Sequence, residues 1–172
     1  FGDCVLDDIS LDNIAFNSCD YTISTVYFDI DFNDTPFPDE DYSICGLNGS
    51  WNASDDGGWI GFGLELSDLD GDGIFSGSMN LSPGNYEFVA FCSGEGDDFS
   101  GWGVQFGAPT SSECDFDTSD EWGNYGFTVE DSDINVSYCA GSCSSSCDGG
   151  EPPSTYDVTF DIGGVEDCDF VS

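Results

Sequence analysis

Residues 85–92 read Asn85-Tyr86-Glu87-Phe88-Val89-Ala90-Phe91-Cys92. In an extended chain successive side chains point to opposite faces, so Tyr86, Phe88, Ala90 and Cys92 line one face while Glu87, Val89 and Phe91 line the other. Both faces are apolar enough to be at least partly covered. Working outward, the same period of two recurs in short runs of aromatic and β-branched residues broken by Gly, Asp, Ser and Pro. It predicts further strands over 22–32, 43–47, 59–66, 74–81, 101–106, 124–129 and 133–138. No segment reads as a long helix. About seven or eight short strands at this spacing predict an all-β chain, an antiparallel immunoglobulin-like β-sandwich, with a closed barrel as the alternative.

The charge balance narrows function further. Of 172 residues, 36 are Asp or Glu and none is Lys, Arg or His, for a formal charge of −36. Without cations no side chain can grip a phosphate, so nucleic acid and anionic membrane are excluded as direct partners. Apolar residues at 38% and aromatic residues at 15% still suffice for a core. No stretch approaches the roughly 18 apolar residues of a membrane span, so no membrane insertion is expected. With Phe1 at its head and no basic-then-apolar leader, the chain reads as processed or excerpted.

Nine cysteines in an acidic sequence rich in Gly and Ser point to an oxidising setting, extracellular or at the cell surface, and to a disulfide framework. Zinc fits less well: Cys139, Cys143 and Cys147 lack a CxxC spacing and no His completes a site.

The chain ends echo its interior. Val26-Tyr27-Phe28-Asp29-Ile30 returns as Val158-Thr159-Phe160-Asp161-Ile162, and Ser18-Cys19-Asp20 returns as Ser146-Cys147-Asp148. Asp8-Ile9-Ser10-Leu11 is similarly echoed by Asp133-Ile134-Asn135-Val136. Three echoes in one order imply an internal repeat of about 125 to 130 residues, as in bead-like arrays. On this reading residues 1–19 close a preceding module, 20–147 form a complete one, 148–154 are a short stiff linker and 155–172 open a following module. The last strand then lacks a sheet of its own and must pair with an adjoining module or another copy. The complete module holds Cys45, Cys92, Cys114, Cys139, Cys143 and Cys147, an even set with 15 connectivities open, while Cys4, Cys19 and Cys168 fall outside it.

The strongest local motif is Asp68-Leu69-Asp70-Gly71-Asp72-Gly73, between two expected strands. Carboxylates of Asp68, Asp70 and Asp72 at alternate positions of a glycine-permitted turn can converge on one Ca2+, with a backbone carbonyl near Ile74 as a further ligand. It is not an EF-hand, because Met79 stands where the bidentate Glu would be. The competing reading is a solvated acidic hairpin. N-x-S/T sequons begin at Asn33, Asn48, Asn52, Asn80 and Asn135, and about one or two would arise by chance, so covalent N-glycans are expected. Trp51 and Trp122 are candidate platforms for stacking on sugar rings, against the general expectation that aromatics in a small β-body are core. Catalysis finds no support: a Ser or Cys nucleophile has no His or Lys base, and acidic pairs are too common for any to stand out.

Taken in order, the V-Y-F-D-I run, Gly49-Ser50-Trp51-Asn52, the D-x-D-G-D-G turn and Leu81-Ser82-Pro83-Gly84-Asn85-Tyr86-Glu87-Phe88 resemble a known module type. The chain is similar to the immunoglobulin-like, starch-binding-type repeat domains of bacterial secreted and surface proteins. The match spans most of residues 25–147. It implies an antiparallel β-sandwich, often in tandem, related in fold to carbohydrate-binding modules. Val89 and Tyr125 replace the Lys and Arg usual in that pattern, so fold transfers better than ligand binding. The expected function is a structural module of an extracellular filament or surface array, with copies of itself or adjoining modules as partners. A carbohydrate-binding module of a secreted enzyme or adhesin is the alternative.

Overall fold

The computed structural model describes residues 23–147. Eight strands follow one another: β1 (Ser24–Asp31), β2 (Ile44–Gly49), β3 (Leu64–Glu65), β4 (Ile74–Leu81), β5 (Gly84–Ser93), β6 (Val104–Phe106), β7 (Tyr125–Val129) and β8 (Ile134–Cys139). Two single turns of 3-10 helix, Ser50–Asn52 and Glu95–Asp97, interrupt the loops. The fold class is therefore all-β among the described residues.

The strands form two sheets. One has the order β4-β1-β8; the other runs β3-β2-β5-β6, with β7 also paired to β5. Alternation decides the inner face of the first: Val26, Phe28 and Ile30 are buried while Tyr27 and Asp29 between them are exposed. The inner residues meet the second sheet, with Phe28 lying edge-on to Phe88 and Phe127 at 5.7 and 5.5 Å. Each such ring removed from water contributes about 1.5 to 3 kcal/mol. One core cluster joins both sheets, from Val26 to Ala140.

β5 lies between β2 and β6, with β7 also paired to it, and its two faces are both covered as its sequence suggests. Phe88, Ala90 and Cys92 on one face and Val89 and Phe91 on the other are all buried. The second face is not covered by a third sheet but by loops, among them the one bearing Phe62, whose ring meets Phe91 edge-on at 5.4 Å.

Three expectations need correction. The sheets are not wholly antiparallel: β8 runs parallel to β1, Val26 facing Ile134 and Asp31 facing Cys139. The short 130–133 connection carries the chain across from one sheet to the other as it reverses, so β8 arrives beside β1 with the same sense. The strand expected over 59–66 shrinks to Leu64–Glu65. Phe62 takes a left-handed φ of +58°, which breaks the extended run before Gly63. The strand expected from Gly101 begins only at Val104, because Gly101 has φ +76°.

Three disulfides brace this body: Cys45–Cys92, Cys114–Cys143 and Cys139–Cys147. The first joins directly facing residues of β2 and β5. The other two fasten the segment after β8, which Tyr125 also holds through a hydrogen bond from its hydroxyl to the Ser142 carbonyl at 2.9 Å. Burial pushes the Tyr125 hydroxyl up to about 12, so it remains a donor across the physiological range. Cys4, Cys19, Cys168 and the terminal echoes lie outside the described residues, as do the proposed linker and the segments assigned to neighbouring modules.

Candidate functional site

The acidic turn joins β3 to β4, and its shape follows from hydrogen bonding by its first carboxylate. Asp68 accepts from the Gly71 N–H at 2.7 Å through Oδ1 and from the Gly73 N–H at 3.0 Å through Oδ2. Desolvation raises the Asp68 carboxyl, but these bonds outweigh it and hold the group below the usual carboxylate range. Gly73 adopts φ +86°, and a Cβ there would strike the Asn33 side chain, so the close return of the chain needs glycine. Asn33 completes the junction by donating from Nδ2 to the Asp72 carbonyl and to Asp31 Oδ1, each at 2.9 Å.

One oxygen each of Asp68, Asp70 and Asp72 lies within 4.8 Å of the others. Ca2+ takes oxygen ligands at about 2.3 to 2.6 Å, so oxygens at this spacing fit around a single ion. Three carboxylates are hard, anionic donors of the kind calcium selects. Ile74, near which a backbone carbonyl is expected as a further ligand, also braces the turn, its N–H donating to Asp72 Oδ1 at 2.8 Å. Beside the turn lies an open cleft of about 310 Å³ with Phe32, Phe37 and Phe75 in its walls and Asn33 and Asp68 on its rim.

The sequons fall into distinct environments. Asn80 and Asn135 are exposed on the outward face of the three-stranded sheet, on either side of β1. Asn80 accepts from Thr25 Oγ1 at 3.1 Å, a bond that a glycan on Nδ2 would leave intact. Asn52 is half-buried and donates from Nδ2 to the Ile60 carbonyl at 3.3 Å. Asn33 is exposed, but both its Nδ2 protons are engaged, so a glycan there would cost one hydrogen bond. Asn48 is a correction: it is 0% exposed, and the folded chain leaves no room for a glycan on it. Its Nδ2 instead donates to the Gly101 carbonyl at 2.6 Å, and its Oδ1 accepts from the Gly63 N–H at 3.1 Å.

The tryptophans separate as well. Trp51, expected as a platform, is half-buried and packs at 5.9 to 6.2 Å from the rings of Phe28, Phe88 and Phe127. Its Nε1 is buried without a hydrogen-bond partner, and the ring packs against the core cluster rather than standing clear of it. Trp122 is 64% exposed and remains available. Neither the Asn48 link nor the surface it builds was expected from the sequence; the available signal was a polar residue set inside the run Ile44-Cys45-Gly46-Leu47-Asn48-Gly49, where its side chain had to be buried.

No protein-family model matches the chain, and neither the curated proteins nor the solved structures contain a match to it.

Proposed function

We propose that the chain is a structural repeat module of an extracellular, N-glycosylated filament or cell-surface array, assembled head-to-tail through β-strands. The observation that carries this reading is the parallel β1–β8 ladder. The two segments echoed at the chain ends, Val26 to Ile30 and Asp133 to Val136, are each other's partners in the body, with Phe28 opposite Val136. By sequence, 8–11 resembles part of β8 and 158–162 resembles part of β1, so the two segments would supply complementary halves of such a ladder. The trailing segment of one module can pair with the leading segment of the next, with backbone hydrogen bonds giving affinity and alternate side chains giving register.

Other features suit a mechanical role. Disulfides resist unfolding where like charge opposes compactness, and sugars on Asn80 and Asn135 would clothe one outward face. Calcium held by Asp68, Asp70 and Asp72 would neutralise part of the local charge. The resemblance to tandem starch-binding-type modules points the same way.

Electron microscopy and light scattering of the full chain test the assembly. Regular fibres are expected for the native sequence and single particles for Phe160→Pro, which removes a ladder N–H from the trailing segment. A native chain that stays monomeric in calcium, or a proline variant that still polymerises, would overturn the proposal. Intact mass of the native material should fall on deglycosylation. The alternative, carbohydrate binding, rests on the exposed ring of Trp122. It requires glycan-array signals that Trp122→Ala abolishes.

A further inference from the structure

Buried Asn48 fastens two loops side by side, one ending at Gly63 and the other at Gly101. The loops have related compositions, Asp55-Asp56-Gly57-Gly58-Trp59-Ile60-Gly61-Phe62 and Asp97-Asp98-Phe99-Ser100-Gly101-Trp102, each containing an Asp pair, a Gly-Trp or Trp-Ile-Gly step and at least one exposed apolar residue. They touch closely. A Cβ on Gly61 would strike the Ser100 carbonyl, and one on Gly101 would lie 2.7 Å from the Phe62 ring. The junction leaves Ile60 49%, Phe62 37% and Phe99 50% exposed.

Phe62 and Phe99 both sit at left-handed φ, +58° and +54°. Bulky residues rarely do so, and each such backbone costs about 1 to 3 kcal/mol. Packing on Phe91 offsets this for Phe62, while half of Phe99 remains in solvent. Exposed carboxylates of Asp55, Asp56, Glu95 and Asp98 accompany the apolar residues in these loops. The Asp97 carboxylate fixes the second loop: it accepts from the Gly94 N–H at 2.7 Å and from the hydroxyls of Ser100 and Ser93 at 2.6 and 2.8 Å.

We propose that this patch docks a cationic segment of another protein, with Arg or Lys side chains laid on the Phe62 and Phe99 rings and paired with the surrounding carboxylates. Exposed aromatic faces beside anions suit guanidinium and ammonium groups, which the rings attract through their quadrupoles. The chain has no Lys, Arg or His of its own, so no side chain within it can neutralise these carboxylates. A second copy brings no side-chain cation to pair with these carboxylates, so self-docking at this patch lacks the charge complementarity that the patch offers a cationic segment. Anionic ligands are repelled for the same reason. The proposal is independent of filament assembly.

The test is calorimetric titration of the full chain with an arginine-rich decapeptide at about 150 mM salt, where diffuse attraction is screened. Phe62→Ser/Phe99→Ser keeps the formal charge, so a loss of affinity reads the patch and not the charge. About tenfold weaker binding is expected for the pair, and about threefold for Phe99→Ser alone, whose exposed ring can be removed with least disturbance to the fold. Asp29→Asn, on the opposite sheet, should change affinity by less than about twofold. Hydrogen exchange on the native chain should show the peptide protecting 59–62 and 97–102. Equal affinity of the native chain and the Phe99→Ser variant, or protection elsewhere, would overturn the proposal. So would a peptide-independent dimer in sedimentation that Phe99→Ser dissolves, since the patch would then be a self-contact.

Discussion

At the scale of single residues, Asn48 has the largest consequence for its size. It is a strand residue with no solvent contact, and its two amide atoms are the bonds observed between the Gly63 and Gly101 segments through a side chain. Replacing it by Ala leaves the buried Gly101 carbonyl and the part-buried Gly63 N–H without this partner, at about 1 to 3 kcal/mol for the carbonyl and less for the N–H. Asn48→Ala should therefore lower the denaturation midpoint and loosen both loops, with faster hydrogen exchange near Gly63 and Gly101. Asn48→Asp should be worse, because it sets a carboxylate oxygen where Nδ2 now donates. Unchanged stability in Asn48→Ala would mean that the loops are held by contacts other than this amide. The same residue belongs to a formal glycosylation motif. A three-residue pattern records composition and says nothing of burial, which is why Asn48 and the exposed Asn80 look alike in sequence.

At the scale of elements, legibility follows how strongly alternation is imposed. β4 coincides with its expected range, and β1, β5, β7 and β8 come within two residues of theirs: a strand with one buried face must repeat every second residue, and β5, buried on both, stands out as an unbroken apolar and aromatic run. The 59–66 segment misled because its apolar residues cover the outer face of β5 from a loop, where spacing by two is not required. The parallel sense of β8 was also illegible, since sheet partners are set by where the chain crosses between layers. The cysteines gave their number but not their pairing, and the pairing ranks the elements by the chain each closes. The sequence separations are 47 for Cys45–Cys92, 29 for Cys114–Cys143 and 8 for Cys139–Cys147. Loop-closure entropy then gives about 4, 3.5 and 2.5 kcal/mol. Pairwise replacement by Ser should destabilise in that order by chemical denaturation. The last two share the tail after β8, so their joint loss should fall short of the sum. A Cys139→Ser/Cys147→Ser protein less stable than Cys45→Ser/Cys92→Ser would show that fixing the tail beside Asp31 matters more than the size of the closed loop.

At the scale of the whole molecule, a charge of −36 without one basic side chain means that folding gathers carboxylates no internal ion pair can balance. Repulsion among them must be relieved from solution, and two kinds of relief make different predictions. General screening depends on ionic strength alone, shortening the reach of repulsion to about 8 Å at 0.15 M, so sodium and calcium salts matched in ionic strength would stabilise alike. A built site adds a term that grows with free ion as the logarithm of occupancy, reaching about 2.7 kcal/mol at a hundred times the dissociation constant. The turn of Asp68, Asp70 and Asp72 supplies three converging oxygens on the junction that also ties β1 to β4 through Asn33. Calcium should thus raise the melting temperature beyond the matched sodium control by about 4 °C or more at saturation. Asp70→Asn should abolish the excess while retaining the sodium effect, because Asp68, which accepts the Gly71 and Gly73 N–H groups and shapes the turn, is left in place. If native and Asp70→Asn proteins respond equally to calcium, the turn is a solvated acidic hairpin and the ions act only as a diffuse atmosphere.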